Sequence, residues 1–258
     1  MNIALPAHGH RTRQPRRTAI RCLGLLTLLL ADPMRAEVAS ISSRVFNGYA
    51  RELLADGTFK PELYVLGEGG RWSRPISDPE MEKLTFPQIV RAVASPLAKM
   101  NYRPAGKSAD AGLLILVFWG TTNGSYALGP SNSFRQMMDS RNARILGYIE
   151  ALNTARSLSH TDFAQQIMAE VAEHRYYVVL QAYDYKTAVN EKQLKALWTT
   201  RMSLSETGEF MTALEQMVSD GGRYFGRTTD GLLRREEIKE GSVELAPLRV
   251  LETVPDSK

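Results

Sequence analysis

Seven consecutive apolar residues, Leu113 to Trp119, stand between Gly112 and Gly120. A run this short, with glycine at both ends and Ile115, Val117, Phe118 and Trp119 inside it, predicts a central strand buried on both faces. Such a strand needs partners along its edges and helices over its faces. The rest of the chain is therefore read as material that pairs with it or covers it.

Before the run, Val38 to Leu54 places Ile41, Val45, Tyr49 and Leu53 four residues apart, which predicts a short helix. Leu63 to Leu66 reads as a short strand closed by Gly67, Gly69 and Gly70. Arg71 to Pro79, with two prolines, reads as a loop. Thr85 stands where it can cap a helix opening at Phe86-Pro87. Its apolar face is Phe86, Ile89, Val90, Val93, Leu97 and Met100, and Pro96 is expected to kink or split it.

After the run, Gly120 to Ser133 is a long loop of glycine and hydroxyl residues. Phe134 to Arg156 reads as one amphipathic helix with Phe134, Met138, Ile145, Ile149 and Leu152 aligned on one face. A second, opening at Ser159 or Thr161, buries Phe163, Ile167 and Val171. Arg175 to Lys186 and Leu197 to Leu204 read as an antiparallel strand pair, the second with one covered face and one wetter face. Glu209 to Ser219 is a closing helix stopped by Gly221-Gly222. The expected fold is α+β: a two-layer mixed sheet covered by amphipathic helices, with a helical hairpin inserted over 132–174. The domain is expected over 37–225. Residues 226–258 form a charged tail in which Val243 to Val254 is a candidate edge strand.

The leader explains the charge. The chain carries a formal +4, but the first 36 residues hold six arginines against Asp32 alone, and the remainder is close to neutral. Without a basic surplus in the body of the chain, nucleic acid is not an expected partner. Arg11 to Arg21 is a basic segment, and Cys22 to Ala31 is an apolar stretch too short for a membrane helix. Ala36 offers a small residue for cleavage. This pattern predicts a signal peptide over 1–36, a periplasmic or secreted mature chain, and no transmembrane helix in it. Cys22 is the only cysteine, so removing the leader removes disulfides, thiolate metal sites and cysteine nucleophiles together.

The pattern holds no catalytic constellation. His160 and His174 are fourteen apart and form no metal-like pair, and no GxSxG elbow, GxxxxGK[ST] or GxGxxG is present. No catalytic residue, metal or cofactor is expected. Asp78, Glu80 and Glu82 read as a solvated acidic run before a helix. The candidate ligand site is the loop after the apolar strand, where Thr121, Thr122, Asn123 and Ser125 offer hydroxyls and N–H groups at the C-terminal end of a strand. Asp184 lies in a tyrosine-rich strand with Tyr176, Tyr177, Tyr183 and Tyr185. It is expected to pair with Arg201 across the hairpin as a structural ion pair.

One resemblance rests on several of these features. They are the Asn101-Tyr102 turn, Ala109-Asp110 leading into the apolar strand, the tyrosine-rich strand with Asp184, Ala196-Leu197-Trp198 on the next strand, and the closing helix. Together, Phe86 to Phe225 resembles uncharacterised bacterial envelope domains, exported or lipid-anchored. The chain departs from them in lacking an acylation cysteine after its leader and in its helical insert. The resemblance implies a compartment and a fold, with the Ala196-Leu197-Trp198 segment paired to the strand carrying the aspartate. The expected role is a non-enzymatic accessory, assembly or binding module that meets another envelope protein. The alternative is a small-ligand-binding protein or hydrolase using the 120–133 loop.

Overall fold

The computed structural model describes residues 38–70, 81, 83–126, 128, 133–158 and 160–236, all within one unit, Ala36–Lys258. The segment expected as a signal peptide, Cys22, the acids Asp78, Glu80 and Glu82, and the strand expected over 243–254 lie outside the described residues.

The strands are β1 (Val38–Val45), β2 (Glu62–Gly70), β3 (Tyr102–Pro104), β4 (Leu113–Thr121), β5 (Arg175–Asp184), β6 (Ala196–Ser205) and β7 (Leu233–Glu236). They form one open mixed sheet in the order β3-β2-β4-β5-β6-β1-β7. β2 is parallel to β3 and β4, and the other pairs are antiparallel. The α+β mixed sheet is as expected. The apolar run forms β4, an interior strand, and β5 holds the middle of the sheet.

The helices are α1 (Phe86–Lys99), α2 (Ser133–Leu146), α3 (Ile149–Ser157), α4 (Asp162–Ala172), α5 (Tyr185–Asn190) and α6 (Phe210–Gly221). The front face of the sheet carries Ile115, Val117, Val178, Leu180, Trp198 and Met202. They pack with Ile89, Val93 and Leu97 of α1 and with Leu214, Met217 and Val218 of α6. Trp198 lies between Phe225, stacked at 5.7 Å, and Tyr102 at 5.8 Å. The back face carries Phe118, Tyr177 and Val179 under Ile145, Leu146, Leu152, Ile167 and Val171 of α2, α3 and α4. The helical insert is thus a cover for the back of the sheet.

Several elements differ from expectation for identifiable reasons. The segment read as an opening helix is β1, paired with β6 from Ser40↔Ser203 to Val45↔Trp198. A four-residue spacing is also an even spacing, so Ile41 and Val45 share a face on a strand as they would on a helix. β2 runs through its glycines. A side chain at Gly67 would collide with Leu116, and one at Gly69 with the Phe118 ring, so those positions let the neighbouring strand's side chains fold across β2. α1 continues through Pro96 to Lys99. Proline removes one backbone donor there, only three residues before the helix ends.

The helix expected over 134–156 is broken into α2 and α3 at Gly147, whose φ is +83°. Phe134, expected on its buried face, is exposed. Both faces of β6 are largely buried: Trp198, Thr200 and Met202 face one way and Thr199 and Ser203 the other. The expected wet face is covered by the insert. β7 pairs with β1 from Val38↔Glu236 to Ile41↔Leu233, so the sheet takes in a piece of the expected tail.

Candidate functional site

The first residues of the loop after β4, Thr122 to Ser125, are stitched into the fold. Thr121, Thr122 and Ser125 are buried. Thr122 donates its hydroxyl to the Glu173 carbonyl (3.2 Å) and accepts the Arg175 N–H (3.0 Å). The Ser125 N–H donates to the Ala172 carbonyl at 2.7 Å, and its hydroxyl donates to Asp139. The Asn123 carbonyl accepts from the Asn142 amide, which also donates to the Val171 carbonyl, both at 2.9 Å. The carbonyls of Val171 and Ala172 end α4 and have no helical N–H to accept from. The hydroxyl-rich loop supplies the donor for Ala172 and seats the Asn142 amide that serves Val171. The same residue types that suggest an anion cradle in the sequence thus serve as a helix C-terminal clasp. Gly124 N–H donates to exposed His174 Nδ1 at 3.3 Å, and that nitrogen lies 4.0 Å from a Glu206 carboxylate oxygen.

Asp184 and Arg201 do not meet. Arg201 lies opposite Val179 on one side and Ser42 on the other. The Asp184 N–H donates to the carbonyl of Lys195, six positions before Arg201, which is about 20 Å of strand. Ala196 pairs with Tyr183 across a register shift and Trp198 with Ala182, so the Ala196-Leu197-Trp198 segment does lie against the strand carrying the aspartate. Asp184 itself caps α5, accepting the Thr187 N–H at 2.8 Å. That hydrogen bond holds its carboxyl below the ordinary Asp value. The tyrosines form no single stacking face. Tyr176 and Tyr177 are buried on opposite sides of β5, and Tyr185 opens α5.

A buried polar network fixes the insert to the sheet. Tyr148, fully buried, donates to Glu170 at 2.5 Å and contacts the Ser40 hydroxyl. Burial pushes its phenol well above the ordinary tyrosine value. Glu170 is ion-paired to Arg234 of β7. Arg175, with no exposed surface, reaches Glu173 at 2.5 Å, Ser205 at 3.2 Å and Ser203 at 3.3 Å. These groups hold one another inside the fold, a structural arrangement.

The groups that do reach a cavity together are arginines. Two adjoining cavities, about 430 and 470 Å³, share Arg144 and Arg201 as walls. Arg141 and Met137 line the first. Arg44, Ser42, Gly147, Glu150 and Thr228 line the second. The groove runs between the sheet and the α2–α3 corner. Glycine at 147 is what brings that corner down: a side chain there would meet the Ser42 Cβ at 2.6 Å and the Arg201 Cδ at 3.2 Å. Arg44 bonds Glu150 at 3.1 Å. Burial, with Arg44 close by, holds the Arg201 guanidinium below its ordinary pKa. It stays charged at neutral pH because a guanidinium does not deprotonate in proteins. In the sequence this site has faint signals: Arg141 and Arg144 three apart on one helix, and Arg201 as the one charge inside an apolar strand.

Among the described residues, no three His, Cys, Asp or Glu side chains are placed to hold a metal ion, and no helix is long and apolar enough to cross a membrane. No family model matches the sequence, and no curated protein matches it either. Among solved structures the chain is similar to a PDZ domain protein from Parabacteroides distasonis, at 14% identity and a TM-score of 0.41. That alignment covers 78% of this chain and 39% of the other, so the chain spans well under half of that protein's length. It is similar to a PelC dodecamer from Paraburkholderia phytofirmans at 8% identity and a TM-score of 0.30, over 70% of this chain and 92% of that one. A DUF4136 family protein from Bacteroides thetaiotaomicron is similar at 14% identity and a TM-score of 0.32, over 70% and 94%.

Proposed function

We propose that this protein is exported to the bacterial envelope and acts there as a non-enzymatic binding or assembly module. The carrying observation is the kind of side chain gathered at the groove. Arg44, Arg141, Arg144 and Arg201 converge there, and arginines hold a charge and donate hydrogen bonds without exchanging protons at neutral pH. That chemistry suits recognition, and the one carboxylate among the described lining residues, Glu150, is bonded to Arg44. The hydroxyls of Thr122 and Ser125, which a hydrolase reading would use, are engaged inside the fold. Export is supported by the basic segment, short apolar stretch and small residue of the leader.

The test is a cross-linking pull-down of the C-terminally tagged full chain from its own cells, with the intact N-terminus read by mass spectrometry in the same run. The expected bait begins near Glu37, fractionates with the envelope, and cross-links an envelope component through residues of the groove. A bait that keeps Met1 and fractionates with the cytosol overturns the export reading. A cleaved bait whose cross-links never involve the groove overturns the assignment of the binding surface.

A further inference from the structure

The groove is a site of one dominant charge. Among the described residues that line it, four guanidiniums stand against one carboxylate, that of Glu150, a difference of three positive charges. Glu150 already bonds Arg44. Arg201 is held below its ordinary pKa chiefly by burial and, after that, by the like charge of Arg44. A neighbouring anion relieves both. The space is of the size that takes a small molecule. The walls are fixed from both sides: Arg44 and Arg201 stand on adjacent paired strands, Arg141 and Arg144 on one helix, and Gly147 locks that helix's end onto the strands.

We infer that the groove binds a phosphate-bearing ligand, with pyrophosphate as its minimal form, through Arg44, Arg141, Arg144 and Arg201. A carboxylate is matched by one bidentate arginine, whereas a group carrying about three negative charges offers oxygens to several guanidiniums at once. The pyrophosphate comes from a soluble diphosphate compound or from a lipid headgroup, and the chemistry is shared. The inference rests on the binding reading above but not on export.

The experiment uses the purified full chain at physiological salt. Inorganic pyrophosphate and orthophosphate are titrated calorimetrically, and co-sedimentation is measured with phosphatidylcholine vesicles with and without phosphatidic acid. Each is repeated for the double variants R141Q/R144Q and R91Q/R103Q. All four arginines are exposed, so both variants keep the fold, as unchanged thermal unfolding will show, and both keep the basic leader. The expected result is saturable binding, tighter for pyrophosphate than for orthophosphate, weakened about tenfold or more by R141Q/R144Q and left alone by R91Q/R103Q. Vesicle binding that needs phosphatidic acid and is lost in R141Q/R144Q assigns a lipid headgroup. Pyrophosphate binding without vesicle binding assigns a soluble compound. No saturable binding to either probe, or equal weakening by both double variants, overturns the inference. Neither result bears on where the protein is found in the cell, which the bait's N-terminus decides separately.

Discussion

Thr122 shows how one residue type serves two readings. Its hydroxyl lies at the end of a strand, where ligands bind in many α/β proteins, yet here it joins the Arg175 N–H to the Glu173 carbonyl. Replacing it with alanine leaves a buried donor and a buried acceptor unmatched, so Thr122→Ala is expected to cost about 2 kcal/mol in urea unfolding. A substitution that left stability unchanged would mean that the loop is not the clasp described. Asp184 caps α5 and lies far from Arg201, so Asp184→Ala is expected to cost about 1 kcal/mol at neutral pH. Its folded pKa is depressed, chiefly by the Thr187 backbone hydrogen bond, from an ordinary 3.8. The cap's charge-dependent contribution is therefore fully present above that value and is lost as pH falls through the lower folded one. The gap between wild type and Asp184→Ala is expected to narrow in acid, measured by unfolding at a series of pH values below about 5.

At the scale of elements, the corner between α2 and α3 decides more than either helix. A single amphipathic stripe runs through Ile145, Ile149 and Leu152, and periodicity alone continues the helix across it. Gly147, at φ +83°, turns the chain there, and its bare Cα sits against Ser42 and Arg201. Alanine at 147 meets both a left-handed backbone and a collision with Ser42, and Gly147→Ala is expected to lose about 2 kcal/mol by thermal or urea unfolding. Back-face signals of the insert, followed by methyl NMR on Ile145, Leu146 and Leu152, are expected to shift before front-face signals do. Front-face shifts of equal size would mean that the corner is not held independently. The strand elements were more readable. β4, β5 and β6 come from apolar, aromatic and β-branched runs that no helix period explains, and their antiparallel pairing follows from the short polar link between β5 and β6.

At the scale of the whole molecule, β7 and the Tyr148 network close the structure. β7 covers the edge of β1, and its Arg234 neutralises Glu170 under the insert. A chain stopped after Leu232 loses both. It is expected to be destabilised by roughly 3 kcal/mol, since a buried carboxylate is left without its cation. It is also expected to self-associate as the β1 edge is uncovered. Size-exclusion chromatography across a range of concentrations checks the second effect and urea unfolding the first. A monomeric, fully stable truncation would place the domain boundary before β7, where the change of composition near 226 suggests it.

Length, hydrophobic runs and turn residues by themselves determined an α+β domain with β4 inside a mixed sheet, α1 and α6 as amphipathic covers, and β5 paired with β6. They did so because side-chain period and β-branched content are local properties. Only the tertiary structure decided that Val38–Val45 is a strand, because a four-residue spacing satisfies both periods until a partner strand supplies the hydrogen bonds. It also decided that Asp184 and Arg201 stand far apart, because register is set by the whole pairing. The arginine groove brings residues 44, 141, 144 and 201 to one surface from three separate stretches of chain, and that convergence exists only once β1, β6 and the insert have packed together.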